Sequence, residues 1–200
     1  MRILEPAGPE PTHLRLPSYP PFAGLQTARI ALRTYSPSDA ELVWQGIEES
    51  RSSLLRWVPD IGRRVDAADV RRALASLASP RAQEHRLVLG VWDRLTSAFL
   101  GEVGIYDLDR AAGMAEIGYW IRRTARGHGY ATEALRTLLE HARRELGVER
   151  FEAHIAVDNA PSRRVVERLG FRLEGQRAPA PRWDGEVGCV LVYVCPAAAF

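Results

Sequence analysis

Apolar residues recur along this chain with two periods, and the switches between them mark its elements. Ala28-Arg29-Ile30-Ala31-Leu32-Arg33 alternates apolar and polar positions and predicts a first strand. Ser38 with Glu41 three residues on reads as a capping box opening a helix through about Glu49, with Val43 and Ile47 on one face. Leu54, Leu55, Trp57, Val58 and Pro59 then form an apolar linker. Asp66 caps a second helix, in which Val70, Leu74 and Leu77 repeat at helical spacing. Two strands follow, His85 to Trp92 and Phe99 to Tyr106, joined by the polar turn Asp93 to Ser97. The run Met114 to Ile121 extends this hairpin into an antiparallel meander. After it, Ala131, Ala134, Leu135, Leu138, Leu139, Ala142 and Leu146 recur every three or four residues and predict the longest amphipathic helix.

The last third repeats the strand–helix alternation. Phe151 to Val157 predicts a strand, and Asp158-Asn159-Ala160-Pro161-Ser162 opens a helix that buries Val165, Val166 and Leu169 and ends at Gly170. Phe171 to Leu173 and Cys189 to Val194 are closing strands, separated by a Pro/Gly-rich hairpin around Trp183. Residues 1–25 are set apart by Pro6, Pro9, Pro11, Pro17, Pro20 and Pro21, which remove backbone donors and favour extended chain. They predict an N-terminal arm, either a disordered leader or a segment packing on the domain or on a second copy of the chain as a homodimer. Residues 26–200 predict one domain, consistent with a length of 200 residues.

One junction carries the candidate chemistry. Between the Met114–Ile121 strand and the long helix lies the basic loop Arg122-Arg123-Thr124-Ala125-Arg126-Gly127-His128-Gly129. Glycine admits positive φ and close approach of a ligand to backbone N–H groups. The helix beyond it offers unpaired N–H groups and a positive dipole end. The junction reads as an anion site for phosphate or pyrophosphate, or else as an ordinary strand–turn–helix. A Walker A loop would need Gly-Lys-Ser/Thr where Gly129-Tyr130-Ala131 stands, and a dinucleotide fingerprint would need glycine at Thr132.

Composition narrows the classes without choosing among them. The hydrophobic share of 46% and charged share of 26% are those of a globular protein. Twenty-seven Lys+Arg against 25 Asp+Glu leave a net charge of +2, which gives no broad basic face for nucleic acid. The sequence contains no apolar run of membrane-span length and no signal-peptide core, so no membrane partner and a cytoplasmic location are expected. Cys189 and Cys195 match neither a zinc nor a redox spacing and read as buried free thiols. No histidine cluster has metal-ligand spacing, so no metal is expected. His13 lies in the arm, His85 opens a strand, His141 lies in the long helix and His154 stands alone on its strand.

Arg126-x-x-Gly129-x-Ala131 resembles the Arg/Gln-x-x-Gly-x-Gly/Ala loop of the GNAT acetyltransferases. Ala115-Glu116-Ile117-Gly118-Tyr119-Trp120-Ile121 before the loop and Gly129-Tyr130-Ala131-Thr132-Glu133-Ala134 after it are similar to the branch that includes ribosomal-protein N-terminal acetyltransferases. The resemblance implies the GNAT fold, an α/β (α+β) domain. Its central sheet is mixed, mostly antiparallel and twisted, of about six to seven strands flanked by about four helices. It also implies acetyl-CoA as cosubstrate and a primary amine as acceptor, either a protein N-terminal amine or a small molecule such as an antibiotic or polyamine. A CoA-binding module without catalysis is the alternative, and a nucleic-acid binder using Arg163, Arg164 and the loop arginines is a weaker one. The two early helices, their linker with Trp57, and the Trp183 hairpin would form the acceptor pocket.

Acetyl transfer from a thioester to an amine needs a neutral amine, a polarised carbonyl and a proton for the departing thiolate. Glu116 is the candidate base: its parity places it on the face of Trp120, and a carboxylate on a half-buried strand is prone to a raised pKa. Asp107 and Asp109 are reserves. By resemblance, Arg126, Gly127, His128, Gly129, Tyr130, Ala131 and Thr132 cradle the pyrophosphate, with the His128 backbone mattering more than its ring. A backbone N–H near Trp120, Ile121 and Arg122 would polarise the carbonyl, where pantetheine lies along the strand as it splays from the Phe151–Val157 strand. Alignment puts Val166 where many members of the family keep a tyrosine acid. Asn159 and Ser162 resemble the Asn/Ser pair of the ribosomal-protein branch, so Ser162 is the candidate partner of the thiolate; both residues are equally placed as helix caps.

Overall fold

The computed structural model describes residues 24–77, 79, 84–181 and 187–200. The proline-rich stretch 1–23 and the tip of the hairpin around Trp183 lie outside the described residues. Eight strands form one sheet among the described residues: β1 (Leu25–Gln26), β2 (Ile30–Arg33), β3 (Leu87–Asp93), β4 (Phe99–Asp109), β5 (Met114–Ile121), β6 (Arg150–Ala156), β7 (Arg172–Pro181) and β8 (Val187–Pro196). Their order is β1-β2-β3-β4-β5-β6-β8-β7. Every pairing is antiparallel except that of β5 with β6. The helices are α1 (Ala40–Trp57), the one-turn α2 (Pro59–Gly62), α3 (Ala67–Leu77), α4 (Tyr130–Leu146) and α5 (Ala160–Arg168).

The sheet is one strand wider than the meander and closing strands predict, because Leu25–Gln26 pairs with Leu32 and Ala31 of β2. The capping box also sits two residues earlier than expected. Ser36 caps a 3-10 turn, Pro37–Asp39, and the Asp39 carboxylate accepts from the Ser36 N–H at 2.6 Å; α1 continues from that turn. Helix α1 then runs well past Glu49 to Trp57, so the predicted apolar linker is largely its last turns. The reason lies in tertiary burial: Leu54 is 2% exposed against the sheet, which extends the apolar face beyond the first periodic stretch.

Two cores result, one on each face. Helices α4 and α5 cover one face, where Leu135, Leu138 and Leu139 pack on Val103, Ile105, Ile117 and Phe151. Helices α1 and α3 cover the opposite face at one end, over a cluster of Trp92, Phe99 and Trp120. Phe99 meets Trp92 and Trp120 at ring-centroid distances of 5.1 and 5.6 Å. These tilted and edge contacts suit aromatic quadrupoles.

The parallel pair is what opens the site. β5 and β6 pair only through Met114, Ala115 and Glu116 against Arg150, Phe151 and Glu152. The strands carry no ladder beyond that point, and α4, leaving from the end of β5, and α5, leaving from the end of β6, flank the gap. A ligand placed there meets backbone polar groups that the sheet leaves unused.

Candidate active site

A cavity of about 820 Å³ runs from the α1–α3 side of the sheet into the gap between β5 and β6. Its floor follows from strand register. Glu102 opposes Trp120, Gly104 opposes Gly118, and Tyr106 opposes Glu116, so all six residues share one face. The Tyr106 ring lies flat across the two glycines. A Cβ at Gly104 or Gly118 would come within 2.7 or 2.9 Å of that ring, so glycine there makes room for the aromatic floor. Val43, Ile47 and Trp57 of α1 and Leu74 of α3 form the apolar wall opposite.

The gap supplies directional groups. The Arg122 N–H donates to the Leu100 carbonyl at 2.9 Å, so the even-numbered residues of β5 turn their backbone toward β4. Ile117, Tyr119 and Ile121 therefore turn theirs toward the gap. Of the Trp120–Arg122 stretch, only Ile121 offers an N–H there. The Ile121 carbonyl is taken by Arg126, whose Nε donates to it at 2.9 Å.

The loop ends in a helix start with nothing capping it. Gly129 is the N-cap of α4 with φ 82° and no side-chain cap, and Gly127 has φ 83°. The first N–H groups of Tyr130, Ala131 and Thr132 point out of the helix start, which is the arrangement that binds anions. A Cβ at Gly127 would meet no atom within 4 Å, so the space beside Gly127 is open. The His128 side chain is exposed, with Nδ1 3.4 Å from the Ala125 carbonyl.

Residues far away in sequence brace this loop. Glu49 of α1 accepts from Arg122 Nη2 at 2.6 Å and from the N–H and hydroxyl of Thr124 at 3.1 and 3.0 Å. Those donors, the Arg122 guanidinium first, hold the Glu49 carboxyl down to about 2. Ser50 Oγ accepts from the Arg123 N–H at 2.9 Å, and Arg126 Nη2 donates to Ser53 Oγ at 2.6 Å. On the other side Arg29 donates to the Glu133 carboxylate and to the His128 carbonyl, the latter at 3.0 Å, with its guanidinium over the Tyr130 ring. None of these partners is marked by local sequence; they follow from α1 and β2 lying against the loop.

Two carboxylates of the sheet face the cavity, whose lining also includes Asp60 of α2. Glu116 is partly exposed and pairs with His154 of β6, whose Nδ1 lies 2.8 Å from Oε2. Burial pushes the Glu116 carboxyl up, and Asp107 adds to this while His154 and Arg177 oppose it. His154 therefore does not stand alone on its strand: it shares a face with Glu116 and with Glu152, which lies 3.3 Å from its Nε2. Glu102 is the carboxylate the sequence reading leaves out. It is 9% exposed, accepts from the Tyr35 hydroxyl at 2.7 Å, and burial raises its pKa to about 6. The signal was a charged residue inside an apolar strand, on the parity that also carries Tyr106. The reserves differ in setting: Asp107 has φ 45° at the irregular end of β4, and Asp109 is spent capping the turn through Ala111 and Ala112.

Helix α5 closes the gap with its first turn. Asn159 is its N-cap, with Oδ1 accepting from the Ser162 N–H at 3.3 Å. The Ser162 carbonyl accepts from the Tyr119 hydroxyl at 2.9 Å, and both residues line the cavity. Val166 is fully buried in the core under α4, so its position faces away from the cavity. Among the described residues no group of His, Cys, Asp and Glu is arranged to hold a metal ion. No described helix is long and apolar enough to cross a membrane.

Comparison with known proteins matches this architecture. The model of the "Acetyltransferase (GNAT) domain" family matches residues 29–172. The "Putative ribosomal N-acetyltransferase YdaF" of Bacillus subtilis (strain 168) is 32% identical over 155 residues, covering 74% of this chain and 80% of that protein. Among solved structures, Mycobacterium smegmatis RimJ in complex with CoA-disulfide superposes with a TM-score of 0.74 at 26% identity, covering 84% of this chain and 82% of that one. The ribosomal L7/L12 alpha-N-protein acetyltransferase RimL in complex with coenzyme A has the same fold, with a TM-score of 0.80 at 20% identity over 87% of this chain and 97% of that one.

Proposed function

The chain belongs to the GNAT acetyltransferase family, and we propose that it transfers an acetyl group from acetyl-CoA to a primary amine, with a protein N-terminal amine as acceptor. The observation that carries this reading is the continuity of the site. One cavity joins an uncapped helix start, a gap in the sheet and an acceptor face with two carboxylates. Acetyl-CoA fits these residues: open space around Gly127 and the free N–H groups of Tyr130, Ala131 and Thr132 suit a pyrophosphate, with Arg126 beside them. Two similar proteins are named for acetylation of ribosomal protein, which favours a polypeptide acceptor over a small one.

When bound, acetyl-CoA supplies an activated acyl carbon, and the chain does the rest. The N–H of Ile121 donates to the thioester carbonyl, a fixed dipole that need not reorganise as negative charge develops. Glu116 takes the proton that an incoming ammonium must lose before its nitrogen can attack. Its raised pKa makes the carboxylate a stronger base than an exposed glutamate. Ser162 hydrogen-bonds the departing sulfur or a water beside it, and Asn159 caps α5 so that this first turn is ordered. Tyr119 anchors the same turn through the Ser162 carbonyl; its own hydroxyl, pushed up to about 12 by burial, is a weak acid.

The loop is tested by Gly129→Val. There is space for a side chain, since the nearest atom to an added Cβ is Arg29 Nη2 at 3.7 Å, but φ of +82° strains a β-branched residue. Calorimetry should find acetyl-CoA binding lost or reduced on the order of a hundredfold in a variant that remains folded. That corresponds to about 3 kcal/mol. Unchanged affinity would remove the loop from the site.

A further inference from the structure

The pairing of His154 with Glu116 has no counterpart in the requirements of the reaction itself. We propose that His154 is a positioning residue for Glu116: it holds one carboxylate oxygen across the β5–β6 gap and leaves the other for the acceptor amine. This rests on the reading of Glu116 as the base.

The geometry is specific. Glu116 is the last residue of β5 that pairs with β6, and His154 stands two residues beyond its pairing partner Glu152 on the same face. His154 thus lies where the strands have begun to part, beside the opening that the acceptor nitrogen must reach. Its Nδ1 is 2.8 Å from Glu116 Oε2 and its Nε2 is 3.3 Å from Glu152 Oε2. The Nε2 contact with Glu152 is a hydrogen bond, and the Nδ1 contact brings the ring against the Glu116 carboxyl at ion-pair distance. Glu152 is in turn held by Arg150, 3.2 Å away, and Arg150 reaches Glu174 at 2.6 Å. Carboxylates on both sides of the ring, with Arg150 behind Glu152, hold it in place, and the His154 side chain is only 15% exposed.

The other groups facing Glu116 explain why a partner matters. Asp107 and the Tyr106 phenol face it from β4, Arg177 from β7, and His154 from β6. Burial and Asp107 favour the protonated acid, which cannot accept a proton from an amine; His154 and Arg177 favour the carboxylate. With His154 removed, the balance shifts toward the acid and the free side chain loses its fixed rotamer.

The test compares the wild type, His154→Ala, His154→Asn and Glu116→Gln. The pH dependence of kcat/KM for the amine is measured in parallel with carbon-13 NMR titration of the Glu116 carboxyl. His154→Ala should move that titration, and the acid limb of the profile with it, upward. The KM for acetyl-CoA should stay unchanged. His154→Asn restores a neutral donor near the Nδ1 position and should recover a substantial part of kcat. An unmoved Glu116 titration in His154→Ala would overturn the inference, as would loss of melting temperature alone with the profile intact. Glu116→Gln keeping the wild-type acid limb would instead sink the reading of Glu116 as the base. The NMR shift would still report whether His154 acts on Glu116, so the two failures are separable.

Discussion

Burial treats the two carboxylates of the cavity floor differently, and the difference predicts separate outcomes at the scale of single residues. Glu116 has the His154 imidazole within reach and an opening to the cavity, which suits proton transfer. Glu102 is buried, held by Tyr35, and raised to about 6 from 4.5. A carboxyl whose pKa is raised on folding binds its proton more tightly in the native state. Its contribution to stability is therefore best below about 4.5 and is lost as pH rises through about 6. Replacing Glu102 with Gln keeps an acceptor for Tyr35 and removes the buried charge. Urea unfolding at pH 7.5 should find Glu102→Gln more stable by up to about 2 kcal/mol, with the gain vanishing near pH 4. A variant less stable at both pH values would show that the charge itself is needed by the floor. No sequence pattern singles out Tyr35 as the partner of Glu102, because they meet only when β4 lies beneath the chain entering α1.

At the scale of elements, the gap between β5 and β6 and the two helix starts beside it define what the site can do. Helix α4 begins without a side-chain cap and leaves its first N–H groups for a ligand, whereas α5 begins with Asn159 bonded to the Ser162 N–H. The cap uses the Ser162 N–H and not its hydroxyl, which leaves that hydroxyl available for the role proposed for it at the sulfur. Ser162→Ala should lower turnover by one hydrogen bond's worth, about 0.5–1.5 kcal/mol or up to tenfold, with little change in melting temperature. Complete loss of turnover with acetyl-CoA still bound would make Ser162 an obligatory proton donor. Lost stability with an unchanged rate would confine it to the helix. Most of these elements were legible because their periodicity is local: β5, its glycine loop and α4 follow from one continuous stretch. The extension of α1 to Trp57 was not, since Leu54 is apolar for contacts with a sheet formed later in the chain. Nor was the Glu116–His154 pair, which requires knowing that β5 and β6 run parallel and in which register.

At the scale of the whole molecule, the cavity joins two walls of different chemistry. The α4–α5 side offers backbone donors and arginines, a surface for an anionic cosubstrate. The α1–α3 side offers aromatic and aliphatic groups around the floor carboxylates. The two are tied together, for Glu49, Ser50 and Ser53 of α1 hold the loop that starts α4, and Arg56 of α1 reaches Asp158 before α5 at 2.7 Å. These contacts tie the α1 side of the cavity to the loop that starts α4, a link that composition and spacing do not reveal. The family and its loop could be read from Arg126 to Ala131, whereas no motif marks α1, α3 and the surface above Glu102, where the proposed acceptor would lie. The central claim is amine acetylation, and mass spectrometry after incubation with isotope-labelled acetyl-CoA tests it directly, using peptides that differ only in a free or blocked N-terminus. The account predicts one labelled acetyl group on the α-amine of the free peptide and none on the blocked one. Bound acetyl-CoA with no label on any peptide or on a panel of small amines would contradict it.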